Sequence, residues 1–233
     1  MTYKIAIICP IILNDPLAIS YKETSFYKNT LRSFMNTYDK NQQFMFFVGI
    51  YKGDTSINNI ETQNELKRFI SVMNNVNLEF FYFPKSNLSM VTMWNILAEH
   101  AYRNNYDYYM NISDNNTFNT NGWVQTAILR LKQNNNLGYV TFIDPNDKKY
   151  DTVILHQKHF QVFNYFFHDG LVFDYWITWL NRIYPSKYGI YFDNFHILKK
   201  KKYNKTTNYK YMDVIVKNDI QKLKKYFNYI FQE

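Results

Sequence analysis

The chain predicts an α/β fold, with a mixed, mostly parallel sheet flanked by helices, and three observations carry that expectation. Short apolar runs of strand length alternate with longer segments whose apolar residues recur at helical spacing. In the first half these follow a β-α-β-α-β order, which a parallel sheet with crossover helices satisfies. An aromatic-rich run, NYDYYMNI at 105–112, then passes straight into the polar turn Ser113-Asp114-Asn115-Asn116. That is the kind of strand end at which open α/β sheets bind ligands.

Residues 3–9 form the first buried strand, and the apolar run IAIICPIIL is broken by Pro10. Residues 24–38 read as a helix with Phe26, Leu31, Phe34 and Met35 on one face. Residues 43–50 form the second strand and enter the turn Tyr51-Lys52-Gly53-Asp54. A helix over 58–74 carries Leu66, Phe69, Ile70 and Met73, and a third strand over 78–83 ends at Pro84. In the next helix Met93, Trp94, Leu97 and Ala101 share a face, and Asn104-Asn105 supplies the stop. Tyr106, Tyr108, Tyr109, Met110 and Ile112 suit a buried strand. A Leu- and Ile-rich helix after Trp123 ends within 134–138, a strand covers 139–143, and Asp144-Pro145-Asn146-Asp147 is a turn. Residues 153–156 and 159–163 read as strand and hairpin elements. A helix over 175–183 follows, with Trp176, Trp179, Leu180 and Ile183 on one face. An amphipathic helix over 219–231 presents Ile220, Leu223, Phe227 and Ile230. With no repeat and no linker, one domain is expected over 1–233.

Composition narrows the function classes. At 233 residues, 46% apolar and 20% aromatic, the chain can fill a sizeable core. The excess of Asn, Lys, Tyr, Ile and Phe over only 6 Gly matches codon bias from an AT-rich genome, so a single Asn or Lys carries little weight. A net charge of +8, from 27 basic and 19 acidic side chains, suits an anionic partner: a nucleotide diphosphate, a nucleic acid or a phosphorylated acceptor. Cys9 is the only cysteine, which excludes an intrachain disulfide and a metal site built on thiolates. The chain lacks both Gly-x-Gly-x-x-Gly and a Walker loop, against an ordinary dinucleotide enzyme or P-loop ATPase. No run is long enough to span a bilayer, and a cytoplasmic location is expected.

The 113–116 turn is all oxygen-bearing side chains, an environment that hard cations such as Mg²⁺ and Mn²⁺ prefer. An Asx turn forms from the same residues with no ligand. The surroundings bear on the choice. VTMWNILAEHAYRNNYDYYMNISDNNTFNTNGW resembles the middle of GT-A-type glycosyltransferases of a eukaryotic and large-DNA-virus group, which carry a Trp-Asn helix, a Tyr-rich strand, an Asp-Asp turn and a Gly-Trp pair. The matching positions are Trp94-Asn95, Asp107 to Met110, Asp114-Asn115 and Gly122-Trp123. HQKHFQVFNYFF and VFDYWITWLNRIY resemble the later His-containing strand and Asp-Asp-Trp-Ile helix start of that group, at His159, Phe163, Asp174, Trp176 and Ile177. Asn115 replaces the second acid of the turn, and Tyr175 the second acid of the later motif. An Asn oxygen ligates a hard cation without adding charge, so metal affinity should fall.

The resemblance implies a GT-A-like fold and transfer of a sugar from a nucleoside-diphosphate donor, a UDP-sugar by preference, to a glycan or other acceptor. It implies a nucleotide site built on the first strand up to Pro10, which argues against that strand being a cleaved signal peptide. Tyr51 would meet the uracil, and Asp54 would contact the base or serve only its turn. Asp114 would hold Mn²⁺ or Mg²⁺, with Asn115 as a neutral ligand and His196 as a third, while Ser113 would orient the ribose or a water. If the reaction inverts the anomeric centre, the acceptor needs a general base near a helix start. Asp174 fits that role or an N-cap, and Asp169, in the His-Asp-Gly turn, is the substitute. The basic run 199–202 would close over the diphosphate or form a solvated face. Two rival readings remain open. One is an inactive GT-A domain that binds sugar nucleotides or glycans. The other is a nucleic-acid binder using its basic and aromatic side chains, which no recognised motif supports.

Overall fold

The computed structural model describes residues 1–11, 20–84, 88–144, 149–171, 175–192, 197–199 and 212–230. Its centre is a seven-stranded sheet in the order β3-β2-β1-β4-β7-β6-β8. The strands are β1 (Lys4–Pro10), β2 (Gln43–Tyr51), β3 (Val76–Phe83), β4 (Tyr108–Asn111), β6 (Tyr139–Asp144), β7 (Lys149–His156) and β8 (Gly189–Phe192). β3, β2, β1 and β4 are mutually parallel, β7 runs antiparallel to β4 and to β6, and β8 is parallel to β6. A separate antiparallel pair joins β5 (Asn116–Phe118) to β9 (Ile197–Lys199).

Alternation along β1 explains why helices cover both faces. Ile5, Ile7 and Cys9 enter one apolar layer with Phe46, Val48, Tyr108 and Met110. Ala6 and Ile8 enter the other with Phe47, Tyr109, Val153 and Leu155. The first layer is closed by α1 (Arg32–Thr37), α2 (Ile60–Ile70) and α4 (Trp123–Gln133). The second is closed by α3 (Met90–Arg103), α5 (Lys158–Phe163), α6 (Trp176–Ile183) and α7 (Met212–Ile230). Gly122, at φ 77°, takes the left-handed conformation that starts α4, after which Trp123 is buried against Phe34, Phe118 and Phe142.

Three expectations are corrected. The segment 24–38 is a helix but opens with a π-helical stretch, Phe26–Leu31, before α1, and the extra residue in its turn rotates Met35 outward to 38% exposure. Residues 159–163 are helical, not strand, because β7 already ends at His156 and His159, Phe160, Val162 and Phe163 are buried at helical spacing in α5. The C-terminal helix begins at Met212, seven residues earlier than its strongest periodicity suggests.

Candidate functional site

Strand order reverses between β1 and β4: the chain goes outward from β1 through β2 to β3 and returns to the far side of β1 as β4. The carboxyl ends at such a reversal diverge and leave a crevice, the usual ligand position in open α/β sheets. Here that position lies between Pro10 at the end of β1 and the turn after β4. The register Ile8↔Asn111 sets the two ends side by side. Asp114 stands close enough to Cys9 for its carboxylate to add to the effect of burial in pushing that thiol well above its ordinary pKa.

The turn is buried: Ser113, Asp114, Asn115 and Asn116 are each 1–3% exposed. Ser113 Oγ lies 2.6 Å from Asn115 Oδ1 and 2.8 Å from Asn116 Oδ1, and the Ser113 backbone N–H donates to Asn116 Oδ1 at 2.6 Å. A hydroxyl carries a single proton. The backbone N–H fixes the Asn116 carbonyl toward Ser113, so the hydroxyl proton is best given there. If the Asn115 amide is turned, which the near-identical shape of its two ends allows, its NH₂ would donate to Ser113 Oγ. Its carbonyl oxygen would then take the buried position at which Asn115 Nδ2 has no hydrogen-bond partner among the described residues.

That arrangement offers a divalent ion one carboxylate, Asp114, and one neutral oxygen, Asn115. Among the described residues no group of three or more His, Cys, Asp or Glu side chains could hold a metal ion. The residues therefore fit an ion that takes one protein carboxylate and draws most of its shell from phosphate and water, as Mg²⁺ commonly does, and not an all-protein cage. His196, the expected third ligand, and Asp174, the expected base, lie outside the described residues, as do 200–202 of the basic run. The run's first residue, Lys199, pairs in β9 with Asn116, which sets that backbone beside the turn.

The other expected contacts have work within the protein. Tyr51, at the end of β2, is partly buried and donates its hydroxyl to the Leu88 carbonyl at 3.1 Å, and burial raises its phenol pKa. Asp54 is 8% exposed, and its Oδ1 accepts from Ser56 N, Ser56 Oγ and Ile57 N, all at 2.8 Å, the geometry of a turn residue. Ser113 spends its hydroxyl inside the turn. His159 is a core residue: it is bonded to the Tyr184 hydroxyl at 2.9 Å and the Phe166 carbonyl at 3.0 Å, and burial lowers its pKa to about 3.

Two residues that matter structurally had no assigned role. Asn95 ties α3 to the 167–169 turn, and Asp169 is exposed there. Asp219 is fully buried on α7, accepting from Tyr165 Oη at 2.5 Å and Trp179 Nε1 at 3.0 Å, with Lys222 Nζ 3.1 Å away. The signal for Asp219 was present: it occupies the apolar stripe between Ile215 and Leu223, four residues from each, where a carboxylate needs a partner.

No family model matches the sequence, and no curated protein matches it significantly. Among solved structures, S. aureus TarS 1-349 in complex with UDP-GlcNAc is similar with a TM-score of 0.58 and 11% identity, over 87% of this chain and 60% of that one. The mannosyltransferase PcManGT from Pyrobaculum calidifontis, in complex with GDP-Man and Mn²⁺, is similar with a TM-score of 0.59 and 10% identity, over 95% of this chain and 73% of that one. The chain thus spans about six tenths of the length of the S. aureus structure. Among the described residues no helix is long and apolar enough to cross a membrane. At such identities the likeness is one of fold, and the fold is that of GT-A-type glycosyltransferases.

Proposed function

We propose that the protein transfers a sugar from a nucleoside-diphosphate donor, a UDP-sugar by preference, to a glycan or other acceptor hydroxyl. The observation that carries this reading is the buried Asp114 turn, set at the strand-order reversal beside Pro10 in a GT-A-like sheet. The end of β1 and the 51–54 turn would form the nucleotide side of the crevice. Tyr51 would offer its ring edge while its hydroxyl stays on Leu88, and Asp54 would act by shaping the turn. Mn²⁺ or Mg²⁺, held by Asp114 and Asn115 with His196 as a further ligand, would neutralise charge growing on the departing diphosphate. Ser113 would keep the Asn115 oxygen turned outward. An acceptor approaching the opposite face of the sugar needs a carboxylate to take its proton, and Asp169 or Asp174 would serve.

The test is a panel of UDP-GlcNAc, UDP-glucose, UDP-galactose and GDP-mannose, each with and without Mn²⁺, read by thermal shift and by nucleotide release. The expected result is metal-dependent stabilisation by one nucleotide class together with slow donor hydrolysis. Stabilisation without release would favour an inactive sugar-nucleotide-binding domain. No response to any donor would overturn the reading.

A further inference from the structure

Asn95 lies in the second turn of α3, and its amide is fully committed. Oδ1 accepts from the Phe167 backbone N–H at 2.8 Å, while Nδ2 donates to the Phe167 carbonyl at 2.6 Å and to Asp169 Oδ1 at 2.5 Å. Only the amide oxygen can answer the Phe167 N–H, so the direction of the side chain is determined and both its protons are used. The preceding residue reaches the backbone that follows β4. Trp94 donates its indole N–H to the Ile112 carbonyl at 3.4 Å, and its ring meets Phe167 edge-on, with centroids 5.6 Å apart. One turn of α3 therefore holds both the backbone two residues before Asp114 and the turn that carries Asp169.

Asp169 is exposed, and the bond from Asn95 is its only hydrogen bond among the described residues. Among the described residues its Oδ2 has no hydrogen-bond partner, which suits it to accept a proton. The neighbouring titratable group is unsuited to that role: His168 Nδ1 already accepts from the Gly170 N–H at 3.0 Å, so its Nε2 carries the proton, and burial lowers its pKa. Asp219 and Lys222 face the same histidine from α7, and they pair with each other.

We infer that Asp169 is the general base of the reaction and that Asn95 is its positioning residue. The inference rests on the glycosyl-transfer reading above. In the step, the acceptor oxygen forms a bond to the anomeric carbon, the bond from that carbon to the phosphate oxygen breaks with its electron pair leaving on the diphosphate, and the acceptor proton passes to Asp169 Oδ2. Asn95 contributes by holding Asp169 Oδ1 and so removing the rotational freedom of the carboxylate.

The experiment measures nucleotide release from the donor panel, where water serves as acceptor, alongside calorimetric UDP binding. Asp169→Asn should lower the rate by about two to four orders of magnitude, with UDP affinity and melting temperature unchanged because the side chain is exposed. Added formate should restore part of the rate to Asp169→Ala. Asn95→Ala should lower kcat at least tenfold with donor KM unchanged, and should cause no further loss in an Asp169→Ala background. An additive loss there would mean that Asn95 is merely structural and would overturn its assignment. A wild-type rate in Asp169→Asn, with a collapse in Asp174→Asn, would overturn the choice of base and leave glycosyl transfer standing. A wild-type protein that binds no donor and releases no nucleotide would overturn both.

Discussion

At the Asp114 turn the single hydroxyl proton of Ser113 cannot serve both Asn115 and Asn116; given to Asn116, it would let a turned Asn115 present oxygen beside the only carboxylate of the turn. Affinity for a hard cation follows the charge supplied by its ligands. Asp114→Ala should therefore abolish the Mn²⁺ dependence of UDP binding, and Asn115→Asp should tighten Mn²⁺ binding by about tenfold or more, both read by calorimetry. Equal affinity in all three proteins would point to a site that holds the diphosphate through lysines. His159 supplies a second test at this scale. Its pKa falls from an ordinary value of 6.5 to about 3 on folding, so the unfolded chain binds the extra proton first. The stability tied to the neutral ring is complete above pH 6.5 and is lost as pH falls from 6.5 toward 3, by up to about 1.4 kcal/mol per pH unit. His156, lowered to about 4 by burial and by Lys158, acts in the same direction. Urea unfolding at pH 7, 5.5 and 4.5 should show this slope, and it should be shallower in His159→Phe.

Element packing decides where α3 can deliver Trp94 and Asn95. The helix lies against β2 at Gly49, where an added Cβ would come within 2.8 Å of Phe83, 3.2 Å of Met93 and 3.3 Å of Leu97. Gly49→Ala should cost about 1–3 kcal/mol by overpacking. Because relief comes by lifting α3, donor turnover should fall with stability. Unchanged denaturant midpoint and turnover would show that the β2–α3 contact gives way more easily than its distances suggest. On the opposite end of the same apolar layer, Asp219 docks α7 against α6 and Tyr165. Asp219→Ala leaves a buried indole N–H and a phenol without an acceptor and should cost about 2–4 kcal/mol. Asp219→Asn, which keeps an acceptor, should cost less in the same denaturant series.

For the whole molecule, two properties compete to define a partner: the crevice at the strand-order reversal and the net charge of +8. Phosphate-driven binding to nucleic acid weakens steeply with salt, whereas a pocket that reads base and sugar discriminates among nucleotides. UDP-sugars should compete with one another for the protein and be displaced little by oligonucleotides at physiological salt. Micromolar oligonucleotide binding under those conditions, with no melting shift from any sugar nucleotide, would favour the nucleic-acid reading.

Local periodicity by itself determined the element order of the first half, because burial on a strand or a helix face leaves a pattern within a few residues. The first four strands, α3 and the strand-to-turn passage at Ser113 were legible for that reason. Residues 159–163 were not, since five apolar-rich residues suit a strand or a helix equally until β7 is seen to end at His156. Met35 turned outward because the π-helical stretch before it shifts the register, a change no period of 3.6 can anticipate. The turn around Asp114 was visible as a string of oxygen-bearing side chains, but the direction of each amide depends on which backbone N–H meets it. Sheet order had to come from the tertiary structure. The same β-α-β units can be wound to either side of β1, and only the long-range pairing of β1 with β4 brings Pro10 to Asp114. Asn95 meets Asp169 across 74 residues of chain, a contact that leaves no local trace because neither side chain departs from the pattern of its own element.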